Sequence, residues 1–152
     1  MGVVDVAIVA LFAMLALFMV VEAVHPVRAF EGVRGWRLKC LFFMPMVIAV
    51  SVSIPYLLAP LFHDIKLLPG HRLGIVGGTI VGIVVSEFVV YWAHRLHHRV
   101  SLLWRWIHQL HHSAERDDVF GSAYFHPLEI AEGTAVGVVM FNAVLGLAPE
   151  AA

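Results

Sequence analysis

The chain has 152 residues, of which 61% are hydrophobic and only 14% charged, and its mean hydropathy is +0.86. A soluble domain carries nearer ~25% charged residues, so the composition excludes an ordinary water-soluble globule and makes lipid the natural solvent. The formal net charge of −1 supplies no basic footprint, which excludes nucleic acid as a partner. One cysteine, Cys40, leaves no intrachain disulfide framework.

Four hydrophobic segments follow in chain order, at about 3–24, 41–62, 73–93 and 130–149. A helix needs about 20 residues to cross ~30 Å of hydrocarbon. The first segment has no Lys or Arg before it, which suits a retained span better than a cleaved signal. The second is uncharged and holds Pro45, Pro55 and Pro60, which predicts a bent span or two shorter helices. The third holds one charge, Glu87, and a row of small residues at i+4 steps, Gly74, Gly78, Gly82 and Ser86. Such a row admits a close neighbour, either within the chain or across a homo-oligomer. The fourth is uncharged from Gly133 onward and marginal in length.

The connections set the expected orientation. Loop 22–40 carries Arg28, Arg34, Arg37 and Lys39, and segment 94–127 carries Arg95, Arg99, Arg105 and Arg116, whereas loop 63–72 has only Lys66 and Arg72. The positive-inside rule places both arginine-rich regions in the cytoplasm. The expected architecture is an all-α integral membrane domain over 1–152, with about four hydrophobic helices and a cytoplasmic histidine-rich helical cap.

Seven of the ten histidines fall between His94 and His126. His94 and His98 are four residues apart, and His108, His111 and His112 stand at i, i+3 and i+4. Both spacings put imidazoles on one helix face. Glu87 and Tyr91 lie on the same side of the third span, one and two turns earlier, where they could orient the ring N–H groups of metal ligands. Neutral imidazole suits iron, zinc, copper and nickel. Five to seven histidines exceed the needs of one tetrahedral zinc, so two metal ions, or one ion and several spectators, are the options. His25, His63 and His71 read as polar residues at the membrane interface, and Trp92, Trp104 and Trp106 as interfacial anchors.

Three stretches of this chain, Tyr91-Trp-Ala-His-Arg-Leu-His-His98, Leu103-Trp-Arg-Trp-Ile-His-Gln-Leu-His-His-Ser113 and His126-Pro-Leu-Glu129, resemble the sterol desaturase and fatty acid hydroxylase superfamily. The resemblance covers about Glu87 to Glu129. It implies an integral-membrane, non-haem di-iron oxidoreductase that uses O2 as co-substrate to hydroxylate or desaturate a lipid, fatty acyl or sterol-like. It implies His94, His98, His108, His111 and His112 as iron ligands. His97 falls at a variable position of the first motif. His126 matches the His-Pro element, where its role as ligand or support stays open. Tyr124 stands where many members have arginine. Nothing in the sequence resembles a nicotinamide or flavin site, so electrons would come from an external donor of cytochrome or ferredoxin type.

Members of that family also close the site with a further His-x-x-His-His cluster, and no histidine follows His126. The resemblance therefore implies the N-terminal part of such a domain, truncated, and leaves a non-catalytic metal-binding membrane protein as the alternative. A haem protein needs only two axial histidines. A transporter places its ligands near mid-membrane rather than at the helix ends.

Overall fold

The computed structural model describes residues 3–26, 31–149 and 151, with side chains other than those of residues 3–5 and 7. Arg28, one of the basic residues of loop 22–40, lies outside them. Every element among the described residues is helical. Helix α1 spans Val3–Val24, α2 Trp36–Leu58 and α3 Gly74–Arg99. A short α4 covers 101–112, and α5 runs Pro127–Val144, its last six residues as a π-helical continuation. With their flanking 3-10 turns, three helices are long and apolar enough to cross a membrane: Trp36–Phe62, Gly70–Arg99 and Pro127–Val144. The apolar stretch Ile8–Val24 of α1 is shorter.

The protein is a membrane protein, and its surface says so directly. Among the described residues the buried apolar set is only Trp36, Cys40, Val138, Ala143, Leu147 and Ala151, while Leu11, Phe42, Val76 and Phe88 stand exposed along the helices. A water-soluble monomer does not display apolar surface on this scale. α2 is continuous through Pro45 and Pro55, so the division into two shorter helices does not occur, and it tightens into a 3-10 turn at Ala59–Phe62.

Two devices hold the ends of the bundle. At the far end from the histidines, Gly146 (φ +58°) stops α5, whose last carbonyls would otherwise be orphaned. The 67–70 loop satisfies them: the Leu67, Leu68 and Gly70 amides donate to the carbonyls of Ala143, Val144 and Leu145 at 2.8, 2.9 and 2.9 Å. A Cβ on Gly70 would collide with the Leu145 carbonyl, so the approach needs glycine there. The small-residue row of α3 packs within the chain: Gly78 and Gly82 face Ala151 and Leu147.

At the histidine end, Gly35 (φ +77°) turns the chain into α2 and buries Trp36 at its first position. The Trp36 indole N–H donates to the Asp118 carboxylate at 3.0 Å, the Gly121 amide donates to Asp118 Oδ1 at 2.9 Å, and Arg116 pairs with Oδ2 at 2.9 Å. Tyr124 packs against Trp36 and Phe43, with ring centroids 5.5 and 4.8 Å apart. From α1, Glu22 accepts the Val119 amide at 3.0 Å. These contacts tie the irregular 113–126 segment to the membrane helices.

Asp118→Ala leaves the buried Trp36 indole N–H without its acceptor and removes one ion-pair partner of Arg116. Losing charged hydrogen bonds of this kind costs about 2–3 kcal/mol. Thermal unfolding in detergent should show a clear drop for Asp118→Ala and none for Asp64→Ala, whose side chain is almost fully exposed.

Candidate metal centre

α3 delivers His94, His97 and His98 on its last turns and ends at Arg99. One extended residue, Val100 (φ −97°, ψ 108°), then turns the chain into α4. α4 is not a regular α-helix: Trp104–His108 forms a π turn, with an α turn on each side. π turns of this kind recur at functional sites. The result places the second histidine group against the first.

The imidazoles of His94 and His98 approach with Nε2 atoms 3.0 Å apart, and those of His108 and His112 with Nε2 atoms 2.9 Å apart. Across the two helices, the His94 and His108 ring centroids are 4.5 Å apart and those of His98 and His112 4.6 Å. One ligand atom from each of the four lies within 4.8 Å of all the others. A second group with the same spread joins His97, His108 and Glu129.

Two carboxylates on α5 engage these rings. His108 Nδ1 is 2.7 Å from Glu129 Oε1, and His97 Nε2 is 2.9 Å from Glu132 Oε2. A carboxylate accepting the Nδ1–H of His108 fixes the tautomer that leaves Nε2 free to bind a cation. Glu129 is seen in the sequence within His-Pro-Leu-Glu but without a role there, and Glu132 is missed. The signal for both is their i, i+3 spacing on one helix face, visible once α5 begins at Pro127.

The remaining sequence candidates fall into place differently. His111 stacks on Phe125 (centroids 4.2 Å apart, 11° between planes), and its ring lies 5.5 Å from His108 and 6.2 Å from His94. It therefore borders the centre, outside both groups of converging ligand atoms. His126 is the N-cap of α5: its Nδ1 accepts the Leu128 amide at 3.2 Å. Tyr91 Oη accepts from Arg95 at 2.9 Å. Glu87 is exposed and lines a shallow cavity of about 400 Å³ with Tyr91, His94 and His98. His63 pairs with Asp64, away from the cluster.

The electrostatics favour a bound cation. Burial, reinforced by the neighbouring histidines His94 and His112, pushes the His108 imidazolium down to about 3. Burial likewise lowers His111 and His112. At neutral pH His108 is therefore uncharged, with its lone pair available. The Nε2 pairs stand about 3 Å apart, the separation that two metal–nitrogen bonds of ~2.1 Å at right angles would span. Glu129 Oε2 and His111 Nδ1 are buried without a hydrogen-bond partner among the described residues. Buried polar atoms of this kind call for a partner such as an ordered water or an ion. The residues fit a metal.

Helices long and apolar enough to span a membrane converge at one end on a histidine cluster that could hold a metal ion. Residues 79–152 match the family model for fatty acid hydroxylase, which is consistent with the sterol desaturase and fatty acid hydroxylase superfamily. That family is oxidoreductase in general and uses iron. No curated protein and no solved structure matches the chain.

Glu129→Ala should lower metal affinity about 10–100-fold, as loss of such a carboxylate does elsewhere. Glu87→Gln should leave it unchanged. Titration of the metal-free protein against a chelator-buffered ion checks both. Because His108 has a lower pKa folded (about 3) than unfolded (6.5), the unfolded chain binds more protons between those values. Stability of the metal-free protein is thus full above 6.5 and falls as pH drops toward 3. Melting temperatures across that range should decline less steeply for His108→Leu.

Proposed function

We propose that this chain is an O2-dependent lipid hydroxylase or desaturase, with two non-haem iron ions held by His94, His98, His108, His111 and His112. The observation that carries this reading is the convergence of the α3 and α4 imidazoles into one cluster, backed by the Glu129 and Glu132 carboxylates, within the residues that match the fatty acid hydroxylase model. His97 joins them through the second ligand group, with His108 and Glu129, and His126 supports the centre by starting α5.

Bound iron would supply O2 reduction and oxidation of an unactivated lipid C–H bond. The protein's own part is positional. Glu129 and Glu132 hold the rings of His108 and His97 in one tautomer and orientation. Phe125 stacks on His111 and Trp104 packs beside His98 and His112, bracing the rings around the buried His108.

The side of the membrane follows from charge. Lys39, just inside α2, pairs with Glu115 of the histidine segment at 2.7 Å, which brings loop 31–39 and segment 94–127 to one end of the bundle. Arg34, Arg37 and Lys39 thus share that end with Arg95, Arg99, Arg105 and Arg116, and the positive-inside rule makes it cytoplasmic. An external donor of cytochrome or ferredoxin type would deliver electrons there.

Metal content of the detergent-purified protein tests this. We expect two iron ions per chain, a loss in His108→Ala and His111→Ala, and full content in His63→Ala. Equal content in all three variants would sink the ligand assignment, and metal without oxidation of any lipid would favour a metal-binding role alone.

A further inference from the structure

Arginines and bulky apolar side chains meet on the outer surface of the histidine end. Between Phe88 and Ala114 the chain carries Arg95, Arg99 and Arg105 and no aspartate or glutamate. All three arginines are exposed. Arg95 donates to Tyr91 Oη at 2.9 Å and lies over the Trp92 ring, 5.7 Å from its centroid. Among the described residues the side chains of Arg99 and Arg105 have no ion-pair partner. The carboxylates of the following segments are engaged elsewhere: Glu115 with Lys39, Asp118 with Trp36 and Arg116, Glu129 with His108 and Glu132 with His97. Glu87, which precedes the arginines, lies two turns before Arg95 on α3. The counter-charge for Arg99 and Arg105 therefore comes from outside the chain.

α4 has two unlike faces. Trp104, His108 and His112 turn toward α3, where Trp104 and His112 stand 5.2 and 4.6 Å from the His98 ring centroid. Leu102, Arg105, Trp106 and Gln109 stand at i, i+3, i+4 and i+7, a single stripe on the other side. All four are exposed, Trp106 to 72% and Leu102 to 64%. A guanidinium between a tryptophan and a leucine is poorly served by water, which the apolar pair avoids, and by hydrocarbon, which gives the charge no partner. The membrane boundary serves both, with rings and aliphatic groups among upper acyl carbons and guanidinium groups among phosphates. Tyr91 and Trp92 mark that level, because such rings gather where a span meets the headgroups. α3 ends seven residues past Trp92, at Arg99, and Val100 turns the chain into α4 there.

We infer that α4 lies in the membrane interface and that its outer stripe, together with Arg99, binds anionic phospholipid headgroups of the leaflet on the histidine side. Leu102 and Trp106 enter among the upper acyl carbons, and Arg99 and Arg105 pair with phosphates, whose oxygens match the guanidinium fork. A net anionic headgroup is favoured over a zwitterionic one because the stripe offers no carboxylate to a choline or ethanolamine cation. His108, His111 and His112 ride on this helix, so the lipid contact steadies one half of the histidine cluster. The inference is independent of the reaction carried out there.

The test uses the full chain in nanodiscs and chain-spin-labelled phosphatidylglycerol and phosphatidylcholine, whose association with the protein is read by electron paramagnetic resonance. Phosphatidylglycerol should associate about fivefold or more tightly, since each arginine near an anionic surface contributes about that factor, and salt should narrow the difference. Arg99→Gln/Arg105→Gln should bring the ratio close to one, with metal content and helical circular dichroism as in the wild type. A fluorophore on Leu102→Cys, with Cys40 buried and the unsubstituted chain as labelling control, should be quenched more by lipids with a nitroxide high on the acyl chain than by acrylamide. This second measurement decides the matter if the double variant does not fold. Equal association of the two lipids, a ratio untouched by the double variant, or stronger quenching by acrylamide would each overturn the inference. Acrylamide quenching together with salt-sensitive binding of an acidic soluble protein would give the stripe to a protein partner instead.

Discussion

Asp118 anchors the histidine end of the molecule. Its carboxylate accepts the Trp36 indole and the Gly121 amide and pairs with Arg116, close to where the membrane helices begin. The 113–126 segment between α4 and α5 has little regular structure beyond one 3-10 turn, Gly121–Ala123, and depends on contacts with the membrane helices for its position. Fastened to Trp36 and to Glu22, it sets where α5 starts, and α5 in turn places Glu129 and Glu132 against the histidines of α3 and α4. A polar hub at a membrane end, its buried groups hydrogen-bonded to one another, helps hold an otherwise apolar assembly in one arrangement.

The cluster itself trades stability for binding capacity. Burying His108 among His94, His98 and His112 takes its ring nitrogens away from water, while His98 and His112 stay exposed. Carboxylates relieve part of this by accepting ring protons from behind, and Glu129 does so with one oxygen while its other is left without a partner. A cation entering the cluster would meet lone pairs already aimed inward, with little reorganisation left to pay for.

Much of this was legible in the sequence, for reasons that differ by residue. The spans followed from hydropathy, since a helix must satisfy its backbone within hydrocarbon and its length is fixed by the bilayer. The pairing of His94 with His98 and of His108 with His112 followed from i, i+4 geometry. What stayed hidden depends on tertiary contacts. The π turn at Trp104–His108 has no compositional signature. Asp118 and Trp36 are 82 residues apart, and neither carries a local sign of the other. Glu132 sits in an apolar segment where its charge looks like an interruption rather than a partner for His97. Glu87, expected to support the ligands from its place on α3, is exposed and lines a cavity with Tyr91, His94 and His98.

The backbone bonds between loop 67–70 and the carbonyls of 143–145 bear on the order in which the protein is built. The last helix is the least hydrophobic of the three spanning ones, with a mean hydropathy of 1.2 against 2.1 and 2.2. Its terminal carbonyls find their donors only on the turn that joins the second and third helices. Left without them in hydrocarbon, each such group costs several kcal/mol. The final segment thus settles stably only against spans already inserted ahead of it. During synthesis the early helices act as a template, and the membrane alone does not hold the last one.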